Sequence, residues 1–258
     1  MKRIEPANVI ERNTAILERI KSLKMEHPFW GYRRIWAYLK YVDKLDINKK
    51  RILRLMQKHD LLVKSRSALK ATRVPQKSKP RPDKPNQWWG IDMTKVMVQG
   101  FGWVYVTVVL DWYTKKVVGH YAGLQCRARH WLEALDMAVN TQFPYGARYQ
   151  ELSLMSDNGC QPTSISFMRS CSDLGIKQAF TSYNNPKGNA DTERFFRTMK
   201  EELLWLREWT NPMELIDEVG EWIQGYNESY LHSSLGYKTP NRMETEYKNS
   251  QLLHNLRA

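Results

Sequence analysis

Cysteine is scarce in this chain: 258 residues hold three, Cys126, Cys160 and Cys171, and none lies in the first 125 positions. They form no C-x-x-C pair and no disulfide framework, which reads as a reducing, cytoplasmic compartment. The same gap leaves His27 and His59 without the cysteines of a Cys/His zinc module. Long apolar runs are missing too. The longest, Trp103 to Leu110, is far below the ~20 residues that a bilayer crossing needs. A basic N-terminus with no apolar stretch behind it predicts no signal peptide. Repeats and low-complexity tracts are absent. What remains, 42% hydrophobic and 26% charged residues, suits a folded core.

Acidic charge is lacking in one region only. Residues 1–86 carry 23 Lys and Arg against 8 Asp and Glu, a net +15, whereas residues 87–258 carry 17 against 19, a net −2. A neutral body behind a basic third predicts a polyanion-binding module joined to something else. Nucleic acid fits better than a membrane surface, because no basic amphipathic helix with a Trp/Phe/Leu face accompanies the charge.

Hydrophobic spacing predicts three helices in that basic third. The first spans Pro6 to Lys24 with Ile10, Ile16, Leu17, Ile20 and Leu23 on one stripe. The second follows Gly31 and buries Tyr32, Ile35, Trp36 and Leu39. The third runs from about Asn48 to His59, burying Ile52, Leu53 and Met56 and exposing Arg51, Arg54 and Lys58. Short helices with tight turns, the last bearing a cationic stripe, resemble a helix-turn-helix unit. Residues 64–86 then read as an extended basic linker, with Lys64, Arg66, Lys70, Arg73, Lys77, Lys79, Arg81 and Lys84 interspersed with prolines, among them those at 75, 80 and 82.

Beyond the linker the pattern turns to strands. Trp89–Val98, Gly102–Tyr113 and Lys115–Ala122 are β-branched and aromatic, separated by turn residues. A helix at about Ala128–Thr141 follows, then a strand at Leu152–Ser156, a helix at Ser164–Leu174 and a strand at Gln178–Thr181. Helices at Asn189–Trp209 and Pro212–Glu228 complete a mixed α/β pattern. Trp88, Trp89 and Trp103 read as core residues rather than stacking platforms.

Three acids stand at the ends of these elements. Asp92 lies in the first strand, Asp157 follows the Leu152–Met155 segment and precedes Asn158-Gly159, and Glu193 lies early in a helix. Between Asp157 and Glu193 stand 35 residues, a spacing that Glu208 and Glu244 share, so spacing alone proves little. Context discriminates: two strand-borne aspartates and one helix-borne glutamate on a mixed sheet would repel one another unless divalent cations joined them. Asp111 reads instead as a turn residue, and Asp191, about 160° around the helix from Glu193, as a surface acid.

In this order the motifs resemble known enzymes. Asp92, Asp157, 35 residues, Glu193 and then Lys200 resemble the D-D-35-E signature of transposases and retroviral-type integrases. Gly31-Tyr32-Arg33-Arg34-Ile35, Trp89-x-x-Asp92-x-Thr94, Ser156-Asp157-Asn158-Gly159, Lys187-Gly188-Asn189-Ala190, Tyr226-Asn227, His232 to Tyr237 and Thr239-Pro240 look like bacterial insertion-sequence transposases of the IS3 type. The resemblance implies an α/β fold: a ribonuclease-H-like mixed sheet flanked by helices, preceded by a small helical segment of the helix-turn-helix type. It implies Asp92, Asp157 and Glu193 as catalytic ligands of two Mg²⁺ or Mn²⁺ ions, and Lys200 as a DNA contact beside them. Arg33, Arg34, Arg51, Arg54 and Lys58 are the expected DNA contacts of the basic third. Asn158 and Gly159 would shape the turn holding Asp157. Two positions depart from the family: Tyr230 stands where an arginine usually precedes the histidine motif, and Cys160 replaces a small polar residue and reads as packing.

The expected organisation is a helix-turn-helix-like segment at 1–63, a linker at 64–86, an integrase-type catalytic core at 87–245 and a tail at 246–258. The expected activity is metal-dependent nicking of insertion-sequence ends and strand transfer. The alternatives are a nuclease of the same fold without joining, or a non-catalytic DNA-binding regulator. The partners would be DNA, further copies of the chain in a dimer or larger assembly, and an upstream reading-frame product. The place of action would be the bacterial cytoplasm, on the nucleoid.

Overall fold

The computed structural model describes residues 7–63, 80–181 and 188–255, with side chains from residue 11 to residue 253. Most of the basic linker, from Lys64 to Lys79, lies outside the described residues, as do the Ile10 side chain and Lys187. The chain forms two compact units, Met1–Arg73 and Val74–Ala258. Among the described residues no helix is long and apolar enough to cross a membrane.

The first unit is three helices: α1 (Ala7–Glu26), α2 (Tyr32–Tyr41) and α3 (Lys49–Lys58). Leu17, Ile20 and Leu23 of α1 are buried against the apolar faces of the other two, where Ile35, Trp36 and Leu39 match the expected stripe. Tyr32 is only half-buried. In α3 the buried set is Ile52, Leu55 and Met56, not the expected Leu53. The spacing i, i+3, i+4 makes one face, and Leu53 stands about 100° off it. Polar bonds tie the bundle where helices end. Asn48 caps α3 by accepting the Lys50 N–H at 2.8 Å. The Trp36 indole donates to the Ile47 carbonyl at 2.7 Å. Arg19 grips Asp43 through two bonds of 2.8 and 3.0 Å.

The second unit is a five-stranded sheet in the order β3-β2-β1-β4-β5. Strands β1 (Trp88–Val98), β2 (Gly102–Asp111) and β3 (Val117–Gly123) form an antiparallel meander. Helix α4 (Ala128–Gln142) then crosses to β4 (Ser153–Ser156), and α5 (Ile165–Asp173) leads to β5 (Lys177–Phe180). Both β4 and β5 run parallel to β1 and its neighbour. Helices cover both faces. Trp89, Ile91 and Val109 pack with Trp131 and Leu135 of α4, and with Phe167 of α5. On the other face, Val104, Val106, Val108 and Leu110 pack against α6 (Ala190–Met199) and α7 (Pro212–Ser229). Burial on both sides explains why β2 reads as a continuous apolar run rather than an alternating one.

Three expectations differ. The long helix from Asn189 divides: α6 ends at Met199 and widens into a π-turn over Lys200–Leu204. Trp209 lies outside it, bridged to Val98 and bonded through its indole to the Leu204 carbonyl. A further helix, α8 (Pro240–Asn255), runs straight through residue 246, where a tail was expected. Its Glu244 is buried between Lys116 and Lys248, at 2.6 and 3.0 Å. Trp103 is 40% exposed, with the Lys95 ammonium 4.3 Å from its ring, so it is not a core residue.

The Tyr226-Asn227 motif has a structural account. Asn227 accepts the Val117 N–H and donates to the Val117 carbonyl, both at 2.9 Å, completing the edge of β3 as a missing strand would. The Tyr226 hydroxyl donates to the Lys115 carbonyl at 3.0 Å. Asn227→Ala should therefore leave a backbone donor and acceptor of the buried Val117 unpaired, at a cost of about 1–3 kcal/mol. Urea unfolding would measure it; an unchanged midpoint would remove this role from Asn227.

Candidate active site

The sheet brings the two aspartates together. Strand β1 pairs in parallel with β4 as Trp88↔Ser153, Trp89↔Leu154 and Gly90↔Met155. Continued two residues, that register sets Asp92 beside Asp157, on strands whose ordinary spacing is about 4.8 Å. Period-two alternation puts Asp92 on the face of Gly90 and Trp88, the face that α6 covers. Asp157 leaves β4 in a turn of its own making. Its Oδ1 accepts the Gly159 N–H at 3.0 Å, and the Asn158 amide holds the loop by donating to the Thr181 carbonyl at 2.7 Å. These are the shaping roles expected of Asn158 and Gly159.

Glu193 comes from the first turn of α6, whose start lies hard against β1. A Cβ on Gly90 would meet Thr192 Oγ1 at 2.2 Å and Asn189 Oδ1 at 2.5 Å, so only glycine admits this approach. The Asn189 amide donates to the Ile91 carbonyl at 3.2 Å. Asn189 was noticed in the sequence only as part of a motif; its link to the strand joins residues 98 apart and left no periodic signal.

The electrostatics tie the set together. Burial raises the Asp92 carboxyl to about 6, and the charges of Asp157 and Glu193 push it the same way. The Met93 N–H, donating to Asp92 at 2.8 Å, and the cation of Lys200 pull it down. All four expected residues are therefore within electrostatic reach of one another's centre, Asp92. Glu193 and Asp157 are exposed and Asp92 is half-buried, so the group opens to solvent. Among the described residues no three His, Cys, Asp or Glu side chains stand close enough to make a ready cage for a metal.

Neighbouring residues fall outside the group. Asp111 is buried and accepts the Asn86 and Thr114 N–H groups at 3.0 and 2.8 Å, as a turn residue should. Asp191 pairs with Lys115 at 2.9 Å. Tyr230 is buried in the aromatic packing of Tyr226 and His232, so no phosphate contact is available to it. Cys160 is exposed, its thiol donating to Gln161, which corrects the packing role expected of it. In the first unit Arg54 and Lys58 are exposed as expected, but Arg51 is half-buried, its guanidinium making two bonds to Asn13 Oδ1 of 3.0 and 2.8 Å. Arg33 is exposed, and Arg34 lies 5.6 Å from the Trp30 ring.

The raised Asp92 pKa makes a stability prediction. An acid that holds its proton more tightly when folded favours the fold below its unfolded pKa, near 3.8, and loses that contribution as the pH rises through about 6. Asp92→Asn should then stabilise the metal-free chain by about 1–3 kcal/mol at pH 7.5 and by much less at pH 4. Thermal melts with chelator at the two pH values would read this; a variant less stable at pH 7.5 would contradict the crowding of charge.

Comparison with known proteins agrees with this layout. An HTH-like domain model matches residues 11–68, and two integrase core domain models match residues 82–186 and 174–240. The transposase InsD of insertion element IS2A/D/F/H/I/K of Escherichia coli is 25% identical over 236 residues, covering 88% of this chain and 77% of that protein. The InsD transposase of IS2 on the F plasmid of E. coli strain K12 matches to the same extent, 25% over 88% and 77%. Among solved structures, a chain of the simian T-cell lymphotropic virus intasome complexed with PP2A regulatory subunit B56 gamma aligns with a TM-score of 0.53 at 14% identity, over 88% of this chain and 74% of that one. That likeness establishes the integrase-type, ribonuclease-H-like fold. An integrase core behind an HTH-like domain, similar along most of its length to the IS2 transposases of the IS3 family, supports this chain as a DNA transposase.

Proposed function

We propose that this DNA transposase nicks insertion-sequence ends and joins them to another strand at the group formed by Asp92, Asp157 and Glu193. One observation carries the reading: the β1–β4 register leads Asp92 to Asp157, and the Asp92 carboxyl feels both other carboxylates and the cation of Lys200. Three hard oxygen donors with an excess of negative charge suit Mg²⁺ or Mn²⁺. Two such ions, held by the three acids, would polarise a phosphodiester and lower the pKa of the attacking water or 3′ hydroxyl.

The chain's own residues supply the rest. Asp92 is the central ligand, since it feels the charge of both other acids. Asp157 is presented rigidly by its Gly159 bond, and Glu193 closes the set from α6. Lys200, seven residues on, holds a strand phosphate beside the acids. In the first unit the phosphate contacts are Arg33, Arg34, Arg54 and Lys58, while Arg51 serves the bundle through Asn13. We assign the DNA-binding segment to 1–63, the linker to 64–86 and the core to 87–245, with α8 continuing from it. Joining two ends calls for at least two copies on DNA, with the upstream reading-frame product as a further partner.

Labelled donor-end duplex incubated with the protein and Mg²⁺ tests the reading. The wild type should give nicked and joined products. Asp157→Asn should give neither, while duplex affinity stays within about twofold, because a DNA groove is held mainly by its cations. Joining by Asp157→Asn would overturn the site, and cleavage without joined products would favour a nuclease. Removing Arg54 and Lys58 together should lower the slope of log affinity against log salt by about 2. Arg51→Ala should instead lower the melting midpoint of the first unit and leave that slope nearly unchanged.

A further inference from the structure

Asn189 occupies the residue before α6, where asparagine ordinarily caps a helix by accepting an N–H from its first turn. Here it makes no such cap. Its amide reaches away from the helix and donates to the Ile91 carbonyl, 3.2 Å distant. That carbonyl belongs to the peptide group joining Ile91 to Asp92. Asn189's own carbonyl accepts the N–H of Glu193 at 3.0 Å. One residue therefore hydrogen-bonds the peptide group of one acid and the amide of another.

Stability alone would not select this arrangement. Asn189 is 4% exposed and Thr192 fully buried, and neither Asn189 Oδ1 nor Thr192 Oγ1 has a hydrogen-bond partner among the described residues. Buried oxygens without donors weigh against folding. Apolar side chains would fill the space at less cost. Gly90 beneath them leaves room for no Cβ, so strand and helix meet at a fixed, short separation.

We propose that Asn189 is a positioning residue: by trading its cap for a bond to β1, with Gly90 as the gap, it fixes where the first turn of α6, and Glu193 with it, stands against the Asp92 strand, and so how readily a divalent cation bridges the two acids. This rests on the three-acid site proposed above. It predicts that breaking the bond between strand and helix weakens metal binding without unfolding the chain.

Asn189→Ser separates the two roles, since serine can cap the helix but is too short to reach Ile91. Asn189→Asp is the second variant, equal in size and capping ability but without the amide donor. Mn²⁺ binding to the full chain without DNA would be followed by electron paramagnetic resonance, alongside thermal melts and the metal dependence of nicking. The expected result is at least tenfold weaker Mn²⁺ binding in Asn189→Ser at a wild-type melting midpoint. Nicking should need correspondingly more metal and approach the wild-type rate when saturated. Wild-type Mn²⁺ binding in whichever variant keeps its melting midpoint would overturn the assignment. Loss of cooperative melting in both would overturn it as well, because the residue would then serve the fold itself. Asp157→Asn is the control for the site: if it binds Mn²⁺ like the wild type, the three-acid reading fails. If it loses the ion while Asn189→Ser keeps it, only the role of Asn189 falls.

Discussion

Crowding of negative charge at the end of two parallel strands is the constraint around which the catalytic unit is organised. Pairing of β1 with β4 carries Asp92 toward Asp157, and α6 adds Glu193 to the same side. Burial makes the Asp92 carboxyl harder to ionise, and the charges of Asp157 and Glu193 add to that. That carboxyl is held near 6 against an ordinary value of 3.8, with burial the largest cause. A structure that kept three acids in this relation for stability alone would be poorly made. Such crowding has a physical resolution, a multivalent cation, and the chemistry of phosphodiesters requires the same thing.

The rest of the unit supplies the rigidity that keeps the acids in place. Helix α6 is packed between β1 and α7 through Phe195 and Phe196, and the Phe195 ring meets Trp222 and Tyr226 edge to face. Helix α7 in turn is pinned to the turn and edge of β3 by the Tyr226 hydroxyl and the Asn227 amide. Thus the Tyr226-Asn227 motif, remote from the acids in sequence, acts on them through the packing of one helix upon another. Tyr230 belongs to this aromatic layer. That explains how the position can hold a ring in place of a cation: the space it fills faces packed side chains.

The basic third shows how charge on a helix divides between architecture and binding. Arg51, Arg54 and Lys58 lie on one face by spacing, yet they are not equivalent. Arg51 points to α1 and finds the Asn13 carbonyl oxygen, whereas Arg54 and Lys58 face solvent. A guanidinium with an acceptor inside the bundle is a structural group first. Periodicity gives the angle of a side chain about its helix but is blind to which neighbour waits there.

The sequence by itself determined the element order as far as α7, the charge asymmetry and the candidate acids, because these are written in local periodicity and in the ordered spacing of motifs such as Ser156-Asp157-Asn158-Gly159. It could not determine the break of α6 at Met199, the presence of α8, or which of Leu53 and Leu55 faces the core. Those were decided by tertiary packing, where a helix ends or turns according to the surface it meets. The strand register that aligns Asp92 with Asp157 and the bond from Asn189 to Ile91 belong to the same class. Each joins residues far apart along the chain through backbone groups that every residue possesses, so no pattern of side chains announces them.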